Sequence, residues 1–361
     1  MNVTLVAGAR PNFMKIAPII HAMKKKQLEG YDLSFKLVHT GQHFDEKMSS
    51  TFFNQLQIPH PDINLNAGGG TQAEQTSQIM IGFESFLNEN FTDLVLVVGD
   101  VTSTMACAIV AKKMGIRLAH VEAGIRSNDW SMPEEINRLV TDSITDYFFT
   151  TSEVANNNLF HSGVEKERVF FVGNTMIDTL LIQRSNFIKP NIWEKKILEE
   201  KRYLVLTLHR PSNVDDNYKL RSLLDAITSS SKGLPILFPV HPRTRKKLNE
   251  INYSNEQLVL LEPMPYLEFN YLVERALAVV TDSGGITEET TVLGIPCMTL
   301  RNNTERPETI TDGTNELIGT EPDSIPPAME RLFNGQWKKG SIPKMWDGKT
   351  AERIVESLLT F

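Results

Sequence analysis

Short β-branched runs alternate with longer amphipathic stretches along the whole chain. In the first half, VTLVA (3–7), FKLVH (35–39), LVLVV (94–98), RLAHV (117–121), YFFTT (147–151) and VFFVG (169–173) predict strands. In the second half, YLVLTL (203–208), ILFPV (236–240), LVLL (258–261), LAVVT (277–281) and CMTL (297–300) predict the remainder. Between them, Ile16, Ile19 and Ile20 fall on one face of a helix. Ile136, Leu139, Val140 and Ile144 repeat at spacings of 3, 4 and 8, which predicts another. This alternation makes parallel sheets with helices on both faces, an α/β chain. The polar stretch from Gln183 to Arg202 interrupts the rhythm and reads as a linker. Residues 1–182 and 183–349 are therefore expected to form two Rossmann-like domains facing each other across a cleft. Gly68–Gly70 precede Thr71 and Glu74, which match a capping box and predict a helix start rather than a phosphate loop.

A length of 361 residues suits two domains of roughly 150–200 residues each. Lys plus Arg total 37 and Asp plus Glu 44, so the net charge is −7, which argues against nucleic acid as a partner. It does not exclude an anionic ligand, because the field of a pocket is local. Cys107 and Cys297 are too few for a disulfide scaffold or a thiolate metal site; they read as core residues in a cytosolic protein. No run approaches the ~18 apolar residues of a membrane span. VTLVAGA near the N-terminus has no basic segment before it and reads as a first strand, not a signal peptide. A soluble, cytoplasmic protein is expected.

Candidate chemistry collects after the predicted strands. In TDSGGITEE (281–289), Ser283, Gly284 and Gly285 lead from a strand into a helix near Ile286, where free N–H groups and absent Cβ atoms suit an anion. Glu288 and Glu289 follow one turn in, placed either to accept from ribose hydroxyls or simply to favour the helix dipole. In GARPNFMK (8–15), Arg10 and Lys15 sit where the first strand ends, as cations for a diphosphate or as a solvated helix start. The GxGxxG fingerprint of nicotinamide and flavin enzymes is missing from that loop. Asp100 and Glu122 follow two further strands, and Glu134 and Glu135 follow Pro133 at a helix start. Carboxylates converging on one crevice would repel, which suits a general acid or base; for Glu134 and Glu135, helix capping is the competing explanation. His209 beside Arg210, and His241 near Arg243, end strands of the second half and suggest a surface lined for a polyanion. The eight histidines show no metal-ligand spacing, so no metal is expected, and no Ser-His-Asp elbow is visible.

Taken in order, GARPNFMKIAP, TGQH, GD (99–100), HVEAGIRS, MPEEINR, GNTMID, LHR, TDSGGITEE and TERPE resemble the non-hydrolysing UDP-N-acetylglucosamine 2-epimerases. The resemblance runs from Gly8 to Pro307. It implies the glycosyltransferase-B architecture, a C-terminal helix within 350–361 returning to the first domain, no cofactor, and a homodimer. The implied reaction inverts C2 by eliminating UDP to a 2-acetamidoglucal and adding it back. Asp100, Glu122 and Glu134 then match the catalytic acids and His209 the cleft histidine. Arg10, Lys15, Ser283, Gly284, Gly285, Glu289 and Arg306 match UDP-binding positions, with Phe269 beside the uracil; His241 and Arg243 are further substrate-binding candidates.

The departures are specific. The family commonly follows its His-Arg with one residue and then Glu-Asn, whereas this chain has Pro211, Ser212 and Asn213. TGQHFDE keeps Gln42 and His43 but continues with Phe44 and Asp45, and Gly69 and Gly70 stand near an expected arginine; this weakens the resemblance to members with a regulatory UDP-sugar site. TGQHFD and VHPRTRK are similar to the branch acting on modified sugars such as UDP-2,3-diacetamido-glucuronate. The rival readings are a UDP-sugar glycosyltransferase of the same architecture and a non-catalytic UDP-sugar sensor.

Overall fold

The apolar runs become the strands of two parallel sheets in the computed structural model, which describes residues 1–41, 53 and 55–361. The first sheet contains β1 (Asn2–Ala7), β2 (Ser34–His39), β3 (Ile63–Asn64), β4 (Leu94–Val98), β5 (Arg117–Val121), β6 (Tyr147–Thr150) and β7 (Val169–Phe171). Their spatial order is β3-β2-β1-β4-β5-β6-β7, with every ladder parallel. The second sheet contains β8 (Leu204–Thr207), β9 (Ile236–Pro239), β10 (Leu258–Leu261), β11 (Ala278–Thr281), β12 (Cys297–Thr299) and β13 (Asn315–Leu317). Its order is β10-β9-β8-β11-β12-β13, again parallel.

Each strand read from an apolar run is present. β3 and β13 escaped the pattern, because two residues in one case and the sequence Asn-Glu-Leu in the other carry no apolar run. β4 is buried along its whole length, as a central strand covered on both faces must be. In each sheet the strand order reverses once, between β1 and β4 and between β8 and β11. Loops leaving the C-terminal ends of such a pair diverge and open a crevice, the usual ligand site of a doubly wound sheet. The first pair delivers Gly8–Arg10 and Gly99–Asp100; the second delivers His209–Arg210 and Asp282–Gly285.

The chain divides into two compact units, Met1–Thr179 with Lys344–Phe361, and Leu180–Pro343. The first has a core around Val6, Val38, Phe83, Val95 and Cys107; the second has one around Leu206, Leu224, Phe238, Val280 and Met298. Cys107 and Cys297 are both free and buried. Within Gln183–Arg202, the helix Asn191–Lys195 carries Trp193, which packs edge-on against Tyr203 and Tyr271 of the second unit. The helix Thr350–Leu358 belongs to the first unit and starts on Asp178, whose carboxylate accepts from Thr350 N at 3.2 Å and Ala351 N at 2.7 Å. That contact accounts for two residues of GNTMID. Asp178 holds the helix start, and Gly173, at φ +103°, lies where a Cβ would come within 2.1 Å of the Met345 carbonyl oxygen.

The expected helix after Gly68–Gly70 is Gln72–Glu89, and its capping box is complete: Glu74 N donates to Thr71 Oγ1 at 3.2 Å and Thr71 N to Glu74 Oε2 at 2.7 Å. Ile16, Ile19 and Ile20 are fully buried on the helix Arg10–Leu28. The helix Pro133–Ile144 reverses the expectation. Its buried residues are Glu135, Asn137, Arg138, Thr141 and Asp142, while Ile136 is 45% exposed. Periodicity located the helix but not its inward face, because that face is selected by ion pairs and hydrogen bonds. Among the described residues, no helix is long and apolar enough to cross a membrane.

Candidate functional site

In the first unit the helix Arg10–Leu28 follows β1 after a two-residue turn, Gly8–Ala9, with Pro11 in its first turn, where the missing N–H costs nothing. Asn12 ties this start to β4. Its Oδ1 accepts from Ala9 N at 2.9 Å, and its Nδ2 donates to the Val98 carbonyl at 3.0 Å. One turn on, Lys15 Nζ meets Glu122 Oε2 at 2.7 Å, with side chains only 13% and 3% exposed. Lys15 is therefore not part of a solvated helix start, whereas Arg10, at the helix's first position, is exposed. Gly99, at φ +70°, passes under Lys15 so closely that a Cβ would sit 3.1 Å from Nζ.

Glu122 itself has φ 71°, a left-handed conformation that costs a residue with a side chain about 1–3 kcal/mol. It is held there by Glu122 N and Ala123 N, which both donate to the Phe149 carbonyl, at 3.0 and 3.1 Å. Asp100, at the end of the neighbouring strand, pairs with Arg138 Nη2, and its carbonyl accepts from Asn137 Nδ2 at 2.8 Å. Arg138 also donates to Glu135 Oε2 at 2.9 Å. Burial pushes the Glu135 carboxyl up, but donors from Ser127, Arg138 and Asn128 outweigh it and hold the carboxyl below its ordinary range. The expected repulsion between Asp100 and Glu122 is thus eased by a cation beside each, Lys15 at Glu122 and Arg138, which Asp100 shares with Glu135. Glu135 holds the Ser127–Asn128 turn, whereas Glu134 is half-buried and makes no hydrogen bond or ion pair among the described residues. Two carboxylates at adjacent strand ends, each aimed by a cation, can move a proton on either side of a small bound group.

In the second unit the organising group is Asp282, fully buried after β11. It accepts from His209 N at 3.0 Å, Arg210 N at 2.9 Å and Asn213 Nδ2 at 3.2 Å, and meets His209 Nδ1 at 2.8 Å. Burial raises its carboxyl, yet these donors hold it below the usual carboxylate range. An ionised carboxylate facing Nδ1 keeps a proton there, so in the neutral ring the lone pair is on Nε2. The His209 side chain is 45% exposed, which leaves that nitrogen open to a ligand.

The helix Gly284–Leu293 starts beside it with no side-chain cap; Ser283 N turns back to Thr281 Oγ1 at 3.0 Å. A Cβ at Gly285 would meet nothing within 4 Å, so there is open space beside this helix start, whose first N–H groups have no partner within the helix. One turn on, Glu288 pairs with Arg306, and Arg301 clasps Glu305 through two bonds of 2.8 and 2.9 Å. Glu289 is buried beside Tyr266 and Asn270; burial, opposed by Tyr266 and reinforced by the Glu288 charge, pushes its carboxyl up to about 7. Phe269 lies half-buried on the same helix as those two neighbours, Tyr266–Arg275. His241 caps the helix Pro242–Glu250 by accepting from Arg243 N at 3.3 Å, and burial, with His209 and Arg243 nearby, lowers its pKa. The Arg243 guanidinium is engaged at the surface by Asp215, at 3.0 Å through Nε.

A family model described as UDP-N-acetylglucosamine 2-epimerase matches residues 26–359. The chain belongs to the UDP-N-acetylglucosamine 2-epimerase family. A UDP-N-acetylglucosamine 2-epimerase of Methanocaldococcus jannaschii is 40% identical, over 99% of both chains. A UDP-2,3-diacetamido-2,3-dideoxy-D-glucuronate 2-epimerase of Pseudomonas aeruginosa is 38% identical, over 99% of both. Among solved structures, the M. jannaschii enzyme in complex with UDP-GlcNAc and UDP matches all of both chains at 40% identity and a TM-score of 0.87. The Neisseria meningitidis UDP-GlcNAc 2-epimerase bound to UDP-GlcNAc matches all of both chains at 30% identity and a TM-score of 0.90. With its two parallel sheets, this chain has the glycosyltransferase-B fold of that family.

Within this epimerase fold, the first unit brings Lys15 to Glu122 and Asp100 to Arg138; the second gathers His209 and the Ser283–Gly285 turn about Asp282. Sequence reasoning did not single out Asn12, Arg138, Asn213 or the anchoring role of Asp282. Three of them lie inside GARPNFMK, MPEEINR and TDSGGITEE, so the signal available was adjacency to a named residue. Gln42, His43, Phe44 and Asp45, which bear on a regulatory site, lie outside the described residues. Among the described residues, no three of His, Cys, Asp and Glu group to hold a metal ion.

Proposed function

We propose that this chain interconverts UDP-N-acetylglucosamine and UDP-N-acetylmannosamine without a cofactor. The observation that carries the reading is the pair Asp100 and Glu122, each held by a cation at neighbouring strand ends. The acids come from residues 1–182 and the UDP cradle from 183–349, which we take as two domains. In the forward direction one carboxylate removes the C2 proton. The C–H electrons form the C1=C2 bond, and the C1–O bond breaks toward UDP. Return of a proton to the opposite face of C2, with the UDP oxygen re-bonding C1, completes the inversion and balances every proton and electron pair.

In this reading Glu134 is a third acid at the sugar, and His209 serves the diphosphate oxygen through Nε2. The free N–H groups after Ser283, at Gly284 and Gly285, take the phosphates. Arg10 donates to the diphosphate, as do Lys15 and Arg306 from within their ion pairs with Glu122 and Glu288; Glu289 accepts from the ribose, Phe269 lies beside the uracil, and His241 and Arg243 flank the substrate. A modified sugar such as UDP-2,3-diacetamido-glucuronate is the second reading, favoured by the Pseudomonas relative at 38% identity. A cytoplasmic homodimer accompanies the proposal on family resemblance, and sedimentation equilibrium would test the dimer.

Incubation with UDP-N-acetylglucosamine in D₂O, followed by NMR at C2, tests the reaction. Deuterium at C2 and the manno epimer, formed without an acceptor, are expected. No exchange with any UDP-HexNAc, the diacetamido-glucuronate included, would overturn the proposal; transfer that needs an acceptor would favour a glycosyltransferase.

A further inference from the structure

His120 is completely buried in β5, two residues before Glu122, and none of the chemistry above uses it. Both ring nitrogens are engaged by oxygen. Nε2 lies 2.8 Å from the Gly99 carbonyl, and Nδ1 lies 2.8 Å from Asp142 Oδ1. A carbonyl has no proton to give, so Nε2 must carry one. The other oxygen of Asp142 accepts from Arg126 Nη1 at 2.6 Å and from Gly124 N at 3.1 Å. With two donors on Oδ2, Asp142 is filled as an ionised acceptor, and the proton between Oδ1 and Nδ1 belongs to the ring. Burial raises the Asp142 carboxyl, but His120 and Arg126 hold it below its ordinary range. The charges around the ring are therefore Asp142 and, beyond that carboxylate, Arg126; Glu122 has its own cation in Lys15.

The two ends of this network are the two loops that carry the reacting acids. Gly99 immediately precedes Asp100, and its φ of +70° sets the direction in which that side chain leaves the sheet. Gly124 ends the turn in which Glu122 is forced to φ 71°. Asp142 stands on the same helix as Asn137 and Arg138, which hold the Asp100 carbonyl and carboxylate. We propose that His120 is a positioning residue: donating from both ring nitrogens, it ties the Asp100 loop to Asp142 and, through Asp142, to the Glu122 turn. This rests on the reading of Asp100 and Glu122 as the acids of the epimerase reaction.

The test has a spectroscopic arm and a kinetic arm, both on the full chain. In a long-range ¹H–¹⁵N spectrum of ¹⁵N-labelled protein at neutral pH, both ring nitrogens of His120 should be in the protonated range. In Asp142→Asn the amide N–H₂ turns to the ring, so Nδ1 should lose its proton while Nε2 keeps its own. A bare Nε2 in the unaltered protein would overturn the proposal, as would a neutral ring there. In His120→Gln one amide cannot reach both acceptors. The turnover rate should fall by about 100-fold, as expected when a catalytic group shifts by about 1 Å, with UDP affinity unchanged. Should that variant fail to fold, the spectra of the other two proteins still decide. Asp100→Asn separates the two layers. If it abolishes C2 exchange while His120→Gln turns over normally, this proposal fails and the reading of Asp100 stands. If Asp100→Asn exchanges at full rate, that reading fails, and the spectra alone judge the ring.

Discussion

Asp282→Asn isolates what one buried charge does for His209. The carboxylate is fully buried and faces donors on both oxygens: Oδ2 meets Arg210 N and Asn213 Nδ2, and Oδ1 meets His209 Nδ1. An amide has one acceptor, and two donors on the Oδ2 side outvote one, so the new N–H₂ group turns toward Nδ1. Nδ1 then accepts from the amide, and no carboxylate stands behind the imidazolium that would give its Nε2 proton to the departing diphosphate oxygen. Loss of a correctly placed general acid or base costs about 10²–10⁴ in rate, or about 3–5 kcal/mol of barrier. The geometry survives because the side chains are isosteric, so UDP binding measured by calorimetry should change little. C2 deuterium incorporation under saturating substrate is the assay. His209→Ala should lose as much as Asp282→Asn, and the double variant no more, because the two residues act as one unit. Multiplying losses in the double variant, or wild-type exchange in Asp282→Asn, would refute the coupling.

Glu289 has its carboxyl raised by burial from 4.5 to about 7, so its neutral form stabilises the fold fully below 4.5, and that contribution is lost as pH rises through 7. Glu289→Gln should therefore gain up to about 3 kcal/mol over wild type at pH 8 and nothing at pH 4, while UDP affinity falls; urea melts at the two pH values check it. Lys15→Met leaves the Glu122 carboxylate buried without its cation, at a cost of about 3 kcal/mol by denaturation; adding Glu122→Gln should return most of the stability but none of the activity. Asp178→Ala strips the acceptor from Thr350 N and Ala351 N, a loss of about 1–3 kcal/mol. Hydrogen exchange should then rise over residues 350–358 and stay unchanged in Leu180–Pro343.

What was legible divides along a physical line. Strand positions were, because parallel strands buried on both faces must be nearly continuous in β-branched and aromatic residues, as LVLVV at 94–98 is. β13 was not, since Asn315 and Glu316 enter it through hydrogen bonding at a sheet edge rather than through apolarity. The helix Pro133–Ile144 marks the limit most clearly. Its apolar repeat looks like a core face, yet Arg138 and Asp142 point inward because Asp100 and His120, distant in sequence, await them. Pairing across such separations leaves no local trace. The acids at strand ends could be named, but not the cations, anchors and capping contacts that give them direction.

Local charge in the second unit follows the same rule. The arginines around the helix Gly284–Leu293 do not act as free cations toward an anion. Arg301 is clasped by Glu305, and Arg306 is bonded to Glu288, which neutralises much of the positive charge that sequence counting would place there. What remains is directional. The uncapped N–H groups beyond Ser283 carry the positive end of the helix dipole and are fixed before any ligand arrives. A site built this way can receive a dianion in a chain of net charge −7, because attraction comes from oriented dipoles at contact rather than from a long-range field. The buried ion pairs then hold the loops around those dipoles: Gly284 passes within reach of the Arg301–Glu305 clasp, so the cradle's backbone is pinned from behind by charges that cancel.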